Sequence, residues 1–153
     1  GGFNNKVPWV SKLSEKCQTR AGAKGYIKTL IGRRCRFDLW EPYGGYGKRV
    51  TPLSRDKAER TWPNQQLRRS FIYKALNRLI QGSAADQMKV AMIHMYHAGL
   101  IPMLQMHDDV NFSIQKDDKN IVNQIEDIML HSTKLLVPSK IDIEVGPNWG
   151  QVK

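Results

Sequence analysis

Apolar residues recur at helical spacing in several stretches of the chain, and residues that end helices bound each stretch. In the segment 8–24, which begins with proline, Trp9, Leu13 and Cys17 are four residues apart, and Gly25 follows. This spacing predicts a short amphipathic helix with lysines and arginines on its outer face. Gly25 is a plausible end for it, because glycine readily adopts the left-handed conformation that terminates helices.

Three further stretches have helical periodicity. From Gln66 onward apolar residues share one face, and after Gly82 we expect Ser83 to cap a second helix that ends near Gly99. The segment 117–136 predicts a third amphipathic helix, with the acidic pair Asp117–Asp118 in its first turn, where the helix dipole favours negative charge.

Alternation of apolar and polar residues predicts strands in three places. Residues 26–37 indicate a hairpin that turns at Ile31–Gly32, and residues 102–114 indicate a second hairpin. Residues 141–145 alternate cleanly and predict a final strand. Residues 38–65 are rich in proline and glycine, so we expect a long loop with one helical turn around 55–60.

These elements predict an α+β protein with two parts. Residues 1–65 would form a basic helix, hairpin and long loop. Residues 66–153 have the order helix–β–β–helix–β, whose natural solution is a small antiparallel sheet with helices packed on one face.

The charge distribution indicates a polyanion as a binding partner. The net charge is +10, and the excess of lysine and arginine lies in residues 1–78, whereas residues 79–153 are slightly acidic. A basic surface fits a polyanion, although a merely solvated face has the same composition.

No apolar run approaches the ~20 residues of a membrane helix, and the two cysteines form no CxxC pair. We therefore expect a cytoplasmic protein with reduced thiols and no membrane contact.

The candidate chemistry lies in the second hairpin, where His107, Asp108 and Asp109 are consecutive. Adjacent carboxylates repel each other, so they persist most easily where water or a cation screens them. Carboxylate oxygens are also ligands of Mg²⁺. A solvated turn and a metal site are both compatible with these three residues alone.

Four short strings, in order along nearly the whole chain, resemble the C-terminal part of family A DNA polymerases, especially the phage members. Residues 25–34 (GYIKTLIGRR) are similar to that family's GY-x-x-T-x-x-GRR hairpin, and residues 77–86 (NRLIQGSAAD) to its N-x-x-x-QG-[ST]-AAD helix. Residues 105–109 (QMHDD) resemble motif C, usually VHDE, and residues 145–149 (VGPNW) the closing G-x-NW.

The resemblance implies a polymerase palm and assigns roles to its residues. Asp108 would bind the catalytic Mg²⁺ ions, and His107 would contact the primer terminus. Asp109 stands where the family usually has Glu, which leaves its metal role open. Asn77 and Gln81 would reach the minor-groove side of the primer–template.

Further DNA contacts are expected from the hairpin and from the basic residues around the second string. These residues are Arg33, Arg34, Lys74 and Arg78. An ordinary surface hairpin is the alternative for the arginines of residues 26–37. The family often has arginine four residues before Asn77, but Tyr73 stands there, and we assign it no role.

The resemblance also implies what the printed sequence lacks. It contains neither the motif A string D-[YF]-S-x-[IL]-E, which carries the second metal-binding aspartate, nor the fingers string K-x-x-x-[FY]-x-x-x-YG. We therefore expect a fragment or one product of a split gene. It would need the N-terminal part of the same polymerase to complete a two-metal site for Mg²⁺. Primer–template DNA and deoxynucleoside triphosphates would be its partners, in the host cytoplasm if the protein is from a phage.

Two other functions remain compatible with the sequence. A basic nucleic-acid-binding module would use the same cations and leave the carboxylates structural. A metal-dependent nuclease would need further carboxylates near Asp108, for which Asp86 and Asp142 are the candidates.

Overall fold

The computed structural model describes residues 7–44, 50–116 and 118–152, in which helices are mixed with short antiparallel strands. The α+β class predicted from the sequence is confirmed. The chain divides into two units, Gly1–Ser83 and Ala84–Lys153. No helix among the described residues is long and apolar enough to span a membrane.

The first unit begins with helix α1, Pro8–Lys24, whose bounds match the predicted segment. It ends at Gly25, which has a φ of 75° and donates its backbone N–H to the carbonyl oxygen of Ala21 at 2.9 Å. Proline at the first helical position and glycine after the last one are favourable for separate reasons, since proline needs no N–H partner there and glycine tolerates positive φ.

The predicted hairpin follows α1. Strands β1, Tyr26–Lys28, and β2, Arg34–Arg36, pair antiparallel with Ile27 opposite Cys35. Hairpin and helix bury a common apolar core, and its fully buried members are Cys17, Ala21, Ile27, Phe37 and Ala75.

The segment predicted as a long loop contains two strands of a three-stranded sheet. Strands β3, Leu39–Pro42, β4, Leu53–Ser54, and β5, Leu67–Arg69, pair antiparallel in the order β4-β3-β5. Residues 45–49 lie outside the described part. The predicted helical turn is confirmed as helix α2, Arg55–Thr61. The loop prediction was wrong elsewhere because β3 pairs with β4 across 13 to 15 residues and with β5 across 25 to 29 residues, and no local pattern reveals such pairings.

Long-range side-chain contacts support the β3–β5 pairing. Glu41 on β3 accepts hydrogen bonds from Arg68 Nε and from Ser70 Oγ, both at 2.9 Å. One carboxylate thereby binds Arg68 within β5 and Ser70 just after it. The helix predicted from Gln66 onward was wrong at its start, because Leu67–Arg69 forms a strand.

The helix begins later than expected and is continuous. After Phe71, which has a φ of 61°, a 3₁₀ turn spans Ile72–Lys74, and helix α3 runs from Ala75 to His97. The predicted break at Gly82 and cap at Ser83 were wrong. Ser83 Oγ instead donates to the Leu79 carbonyl at 2.6 Å and accepts the Leu30 N–H at 3.1 Å.

The second unit contains the last part of α3, which ends before Gly99 (φ 76°) as predicted. Strands β6, Leu104–Met106, and β7, Asp109–Asn111, form the expected hairpin, and helix α4 spans Lys119–His131. The core of this unit is formed by the buried residues Ala91, Met95 and Leu100, and the half-buried residues packed against them are Phe112, Ile121, Ile125, Ile128 and Met129.

Helix α4 is shorter than the predicted 117–136. Asp118 is its N-cap, and the side chain accepts the N–H groups of Asn120 and Ile121. Asp117 lies outside the described residues. The carboxylate of Asp118 thus acts by capping and not from within the first turn.

The final strand predicted for residues 141–145 was wrong. That segment has no regular structure, and among the described residues the second unit has only the two-stranded β6–β7 sheet. Alternation fits a strand only where a neighbouring strand satisfies its backbone groups, and β6–β7 does not pair with it. A short 3₁₀ helix, Trp149–Gln151, follows.

Candidate active-site hairpin and nucleic-acid interface

His107 and Asp108 form the two-residue connection between β6 and β7, directly outside the Met106–Asp109 pair. His107 has a φ of 56°. Short hairpin connections favour positive φ, but glycine and asparagine adopt it more readily than histidine, which is strained by about 1 kcal/mol. Backbone strain of this kind is common at functional sites.

Neighbouring polar groups fix this turn. Gln105 Nε2 donates to the carbonyl oxygen of His107 at 2.5 Å, and the Met103 N–H donates to the Asn111 carbonyl at 2.8 Å. The role of Gln105 was missed in the sequence, although a polar residue between the apolar Leu104 and Met106 is the signal that could have suggested it.

Both carboxylates of the hairpin face solvent. Asp108 and Asp109 are exposed, and neither side-chain carboxylate forms a hydrogen bond or ion pair with any described residue. Mg²⁺ takes one or two carboxylates from a protein and fills its other positions with water and substrate phosphates. The two aspartates therefore fit part of a magnesium site.

The described residues contain no cluster of three or more His, Cys, Asp or Glu side chains able to surround a metal. The two carboxylates considered as additions lie elsewhere. Asp86 is only 2% exposed on α3, and Asp142 pairs with Lys140 at 3.2 Å. Among the described residues, the hairpin therefore supplies only part of a metal-binding donor set.

In the first unit, the two predicted amide contacts lie together. Asn77 and Gln81 are one helical turn apart on α3, both are exposed, and neither amide is hydrogen-bonded to a described residue. Amide groups on one helix face can donate and accept simultaneously, which suits minor-groove acceptors.

The predicted cations are more involved in the fold than the sequence suggested. Arg78 Nη1 donates to the Arg36 carbonyl at 2.8 Å, and its guanidinium lies 4.5 Å from the centre of the Phe37 ring. Arg33 Nη2 donates to the Gly82 carbonyl at 3.1 Å. Each of these arginines joins the hairpin segment to α3.

The other two predicted cations lie over aromatic rings. The Arg34 guanidinium is 4.7 Å from the Tyr26 ring centre, and Lys74 Nζ is 5.2 Å from Phe71 and 5.6 Å from Tyr73. Tyr73, to which the sequence assigned no role, is exposed and forms an aromatic pair with the half-buried Phe71, and both rings contact Lys74.

One structural cation was missed altogether. Arg69 donates from Nη1 to the Phe37 carbonyl at 2.8 Å and lies 4.5 Å from the Trp40 ring centre. Its guanidinium occupies the space beside Gly25, where a Cβ atom would be 2.7–2.9 Å from it. Nothing local in the sequence distinguishes Arg69 from a surface arginine.

Comparisons with known proteins agree with the sequence resemblance. The chain is 40% identical over 148 residues to a DNA-directed DNA polymerase of Pseudomonas phage M6, covering 97% of this chain and 18% of that protein. It is 32% identical over 160 residues to DNA polymerase I of Synechocystis sp., covering 99% and 16%. The chain thus spans less than a fifth of the length of these two relatives.

A solved structure has a similar fold. The polymerase domain of Pol1 from M. smegmatis, in complex with DNA primer-template and dNTP, superposes with a TM-score of 0.60 at 26% sequence identity. The match covers 89% of this chain and 22% of that one. The profile of DNA polymerase family A matches residues 2–151, and the chain therefore belongs to DNA polymerase family A.

Proposed function

We propose that this chain is the C-terminal palm part of a DNA-directed DNA polymerase, which adds deoxynucleotides to a primer 3′ end as a template directs. Membership of family A supports the activity. The observation that carries the site is the strained, exposed turn at His107, beside which the carboxylates of Asp108 and Asp109 have no partner among the described residues. Primer–template DNA and deoxynucleoside triphosphates would be its substrates, as in the M. smegmatis complex.

Each hairpin residue has a proposed role in the transfer. When bound, two Mg²⁺ ions would activate the primer 3′-hydroxyl and stabilise the leaving pyrophosphate. Asp108 would hold metal through its carboxylate. Asp109 keeps the charge of the family's usual Glu on a shorter side chain, and His107 would contact the primer terminus from the tip of the turn.

The second metal-binding aspartate would come from an upstream part of the same polymerase. Strand β6 pairs only with β7 among the described residues, and its Leu104 and Met106 are 40% and 45% exposed. An exposed apolar edge strand is unfavourable in water, which supports a neighbouring strand from the upstream part. We expect the isolated chain not to extend primers, and we place the complete enzyme in the cytoplasm, of the host if it is a phage protein.

The DNA contacts would use different groups on α3 and the hairpin. Asn77 and Gln81 would bind the minor-groove acceptors that all base pairs share. Arg33 and Arg78 donate to backbone carbonyls, but a guanidinium has five N–H donors, so each can hold the fold and a phosphate together. Arg34 and Lys74 would contribute positive charge.

A chimeric enzyme tests the metal role. The C-terminal part of the Pseudomonas phage M6 polymerase would be replaced by this chain, and primer extension would be measured against Mg²⁺ concentration. Asp108→Ala should lower the extension rate at least about 100-fold, because a metal contributes several kcal/mol to such a transition state. Asp142→Asn is the matched control, since its carboxylate is exposed and outside the hairpin, and it should change the rate less than twofold.

The same chimera separates the alternatives. If Asp108→Ala retains extension within a few-fold of the parent, the carboxylate does not hold the metal. If the active-site hypothesis is wrong in this way while DNA binding persists, the basic nucleic-acid-binding module becomes the better account. Extension by the 153-residue chain alone would contradict the need for an upstream part.

A further inference from the structure

The exposed side of helix α1 carries a line of cations that the active-site proposal does not use. Lys12, Lys16, Arg20 and Lys24 are each four residues apart, and all four are exposed. A rise of 1.5 Å per residue places neighbouring members about 6 Å apart along the axis and the outer two about 18 Å apart. We call these four residues and Trp9 the basic face of α1.

These cations are not needed to hold the fold. None of them forms an ion pair or donates a hydrogen bond to a described residue. Arg33, Arg69 and Arg78 behave differently, since each donates to a backbone carbonyl within the first unit. The packing comes from a neighbouring side of α1, where the buried residues Cys17 and Ala21 lie on average about 100° around the helix axis from the row of cations.

The electrostatic balance of the helix favours an anionic ligand. α1 has four cations against the single carboxylate Glu15, and like charges four residues apart on a helix repel each other. An uncompensated row therefore destabilises the isolated helix slightly. Phosphates that bind along the row would relieve this repulsion and release their counterions.

An exposed aromatic ring on the same face narrows the ligand class. Trp9 is 64% exposed, and it lies two helical turns before Lys16, therefore on the same side of the helix. Indole rings bind unpaired bases by stacking, whereas bases within a duplex are already stacked on each other. A row of cations with an aromatic ring at one end fits a single strand.

We propose that the basic face of α1 binds single-stranded DNA, with its four cations on successive phosphates and Trp9 stacked on a base. This surface lies outside the hairpin of His107 and Asp108, and its binding requires neither metal nor nucleotide. The inference therefore goes beyond the proposed polymerase activity and can fail or hold independently of it.

Binding of an oligothymidylate of about 12 nucleotides to the 153-residue chain, in EDTA, tests the proposal. Four phosphate contacts predict a slope near −3 in log K against log salt, which is about 50-fold between 50 and 200 mM salt. In the variant with Lys12, Lys16, Arg20 and Lys24 all changed to Gln, the slope should become less negative by about 3. The matched control changes Lys89, Lys116, Lys134 and Lys140 to Gln, which removes the same charge from the second unit.

Substitution of Trp9 tests stacking separately, because it leaves the net charge of the protein unchanged. Trp9→Ala should weaken binding of the single strand about tenfold, and Trp9→Phe, which keeps a stacking ring, should recover most of that loss. Tryptophan fluorescence should fall on binding in the parent and much less in Trp9→Phe. Circular dichroism of each variant verifies that α1 is retained.

Three outcomes would overturn the inference. An equal loss of affinity in the α1 variant and its matched control would mean that only net charge matters. Equal affinity for a blunt duplex, with no effect of Trp9→Ala, would exclude a single-strand surface. An unchanged salt slope in the α1 variant would exclude phosphate contacts at this helix. None of these outcomes depends on whether Asp108→Ala abolishes extension in the chimera.

Discussion

Arg33 donates a hydrogen bond from Nη2 to the carbonyl oxygen of Gly82 at 3.1 Å, which joins the arginine-rich hairpin to helix α3 at a glycine. The Leu30 N–H donates to Ser83 Oγ one residue further along the helix. Two of the strings that resemble the polymerase family therefore contact each other here. The glycine in the second string permits this approach, because it has no Cβ.

Substitution at Gly82 tests how closely the hairpin and α3 are packed. A Cβ there would lie 3.1 Å from Thr29 Cγ2 and 3.2 Å from Arg33 Nη2, and Thr29 is only 5% exposed. Gly82→Ala should gain about 1 kcal/mol in helix propensity but lose more to overpacking. We expect a net loss of about 1 kcal/mol in the free energy of unfolding, measured by urea denaturation.

Gly22→Ala is the matched control, since Gly22 is also inside a helix. A Cβ there would meet only Ile72 Cδ1, at 4.0 Å. The substitution should therefore stabilise the protein by about 0.5–1 kcal/mol. Equal stabilisation by both substitutions would contradict the close approach at Gly82.

The two glycines that end α1 and α3 should respond differently to substitution. Gly25 and Gly99 have φ values of 75° and 76°, but only at Gly25 would a Cβ collide with another group, the Arg69 guanidinium at 2.7–2.9 Å. Gly99→Ala should cost about 1 kcal/mol from backbone strain, and Gly25→Ala about 1 kcal/mol more, by thermal or urea unfolding. A cost at Gly25 no larger than at Gly99 would show that Arg69 moves away freely.

His107 combines backbone strain with a proposed contact to the primer. Since its φ is 56°, His107→Gly should raise the stability of the protein slightly, by about 0.5 kcal/mol. Primer extension by the chimera should nevertheless fall about tenfold, because the proposed contact between the imidazole and the primer terminus is lost. Unchanged extension would mean that the side chain does not contact the reacting strand.

The stability of the first unit should depend on pH through Cys17. Burial raises the pKa of the Cys17 thiol above its usual 9.0, and Arg20 partly opposes this shift. A raised pKa favours the neutral thiol in the folded state, so the contribution to stability is complete below pH 9.0 and is lost as pH rises through the folded pKa. Urea denaturation between about pH 8 and 10.5 should show this loss.

Two variants distinguish the thiol from other alkaline titrations. Cys17→Ala should remove this part of the pH dependence, although it lowers stability at every pH by leaving a small cavity. Arg20→Gln removes the charge that lowers the pKa of Cys17, so the decline should become larger. A Cys17→Ala profile parallel to that of the parent would assign the decline to other groups.

Local sequence determined much of this protein. The proline, the four-residue apolar spacing and Gly25 predicted α1 to the residue, and the alternation around His107 predicted the β6–β7 hairpin. Helical hydrogen bonds join residues four apart, and short hairpins join near neighbours. A contiguous stretch of sequence is therefore enough to predict these elements. The four strings likewise predicted the family, because each is a local pattern.

Only the tertiary structure decided the features that depend on distant residues. Strands β3, β4 and β5 pair with strands that are not their sequence neighbours or lie beyond a long connection. The alternating residues 141–145 form no strand, because no described strand of the second unit pairs with them. The same holds for charge: Arg33, Arg69 and Arg78 are bound to carbonyl groups remote in sequence, while Lys12 and Lys16 stay in solvent. A sequence shows which side chains carry charge, but their use depends on which backbone groups folding brings within reach.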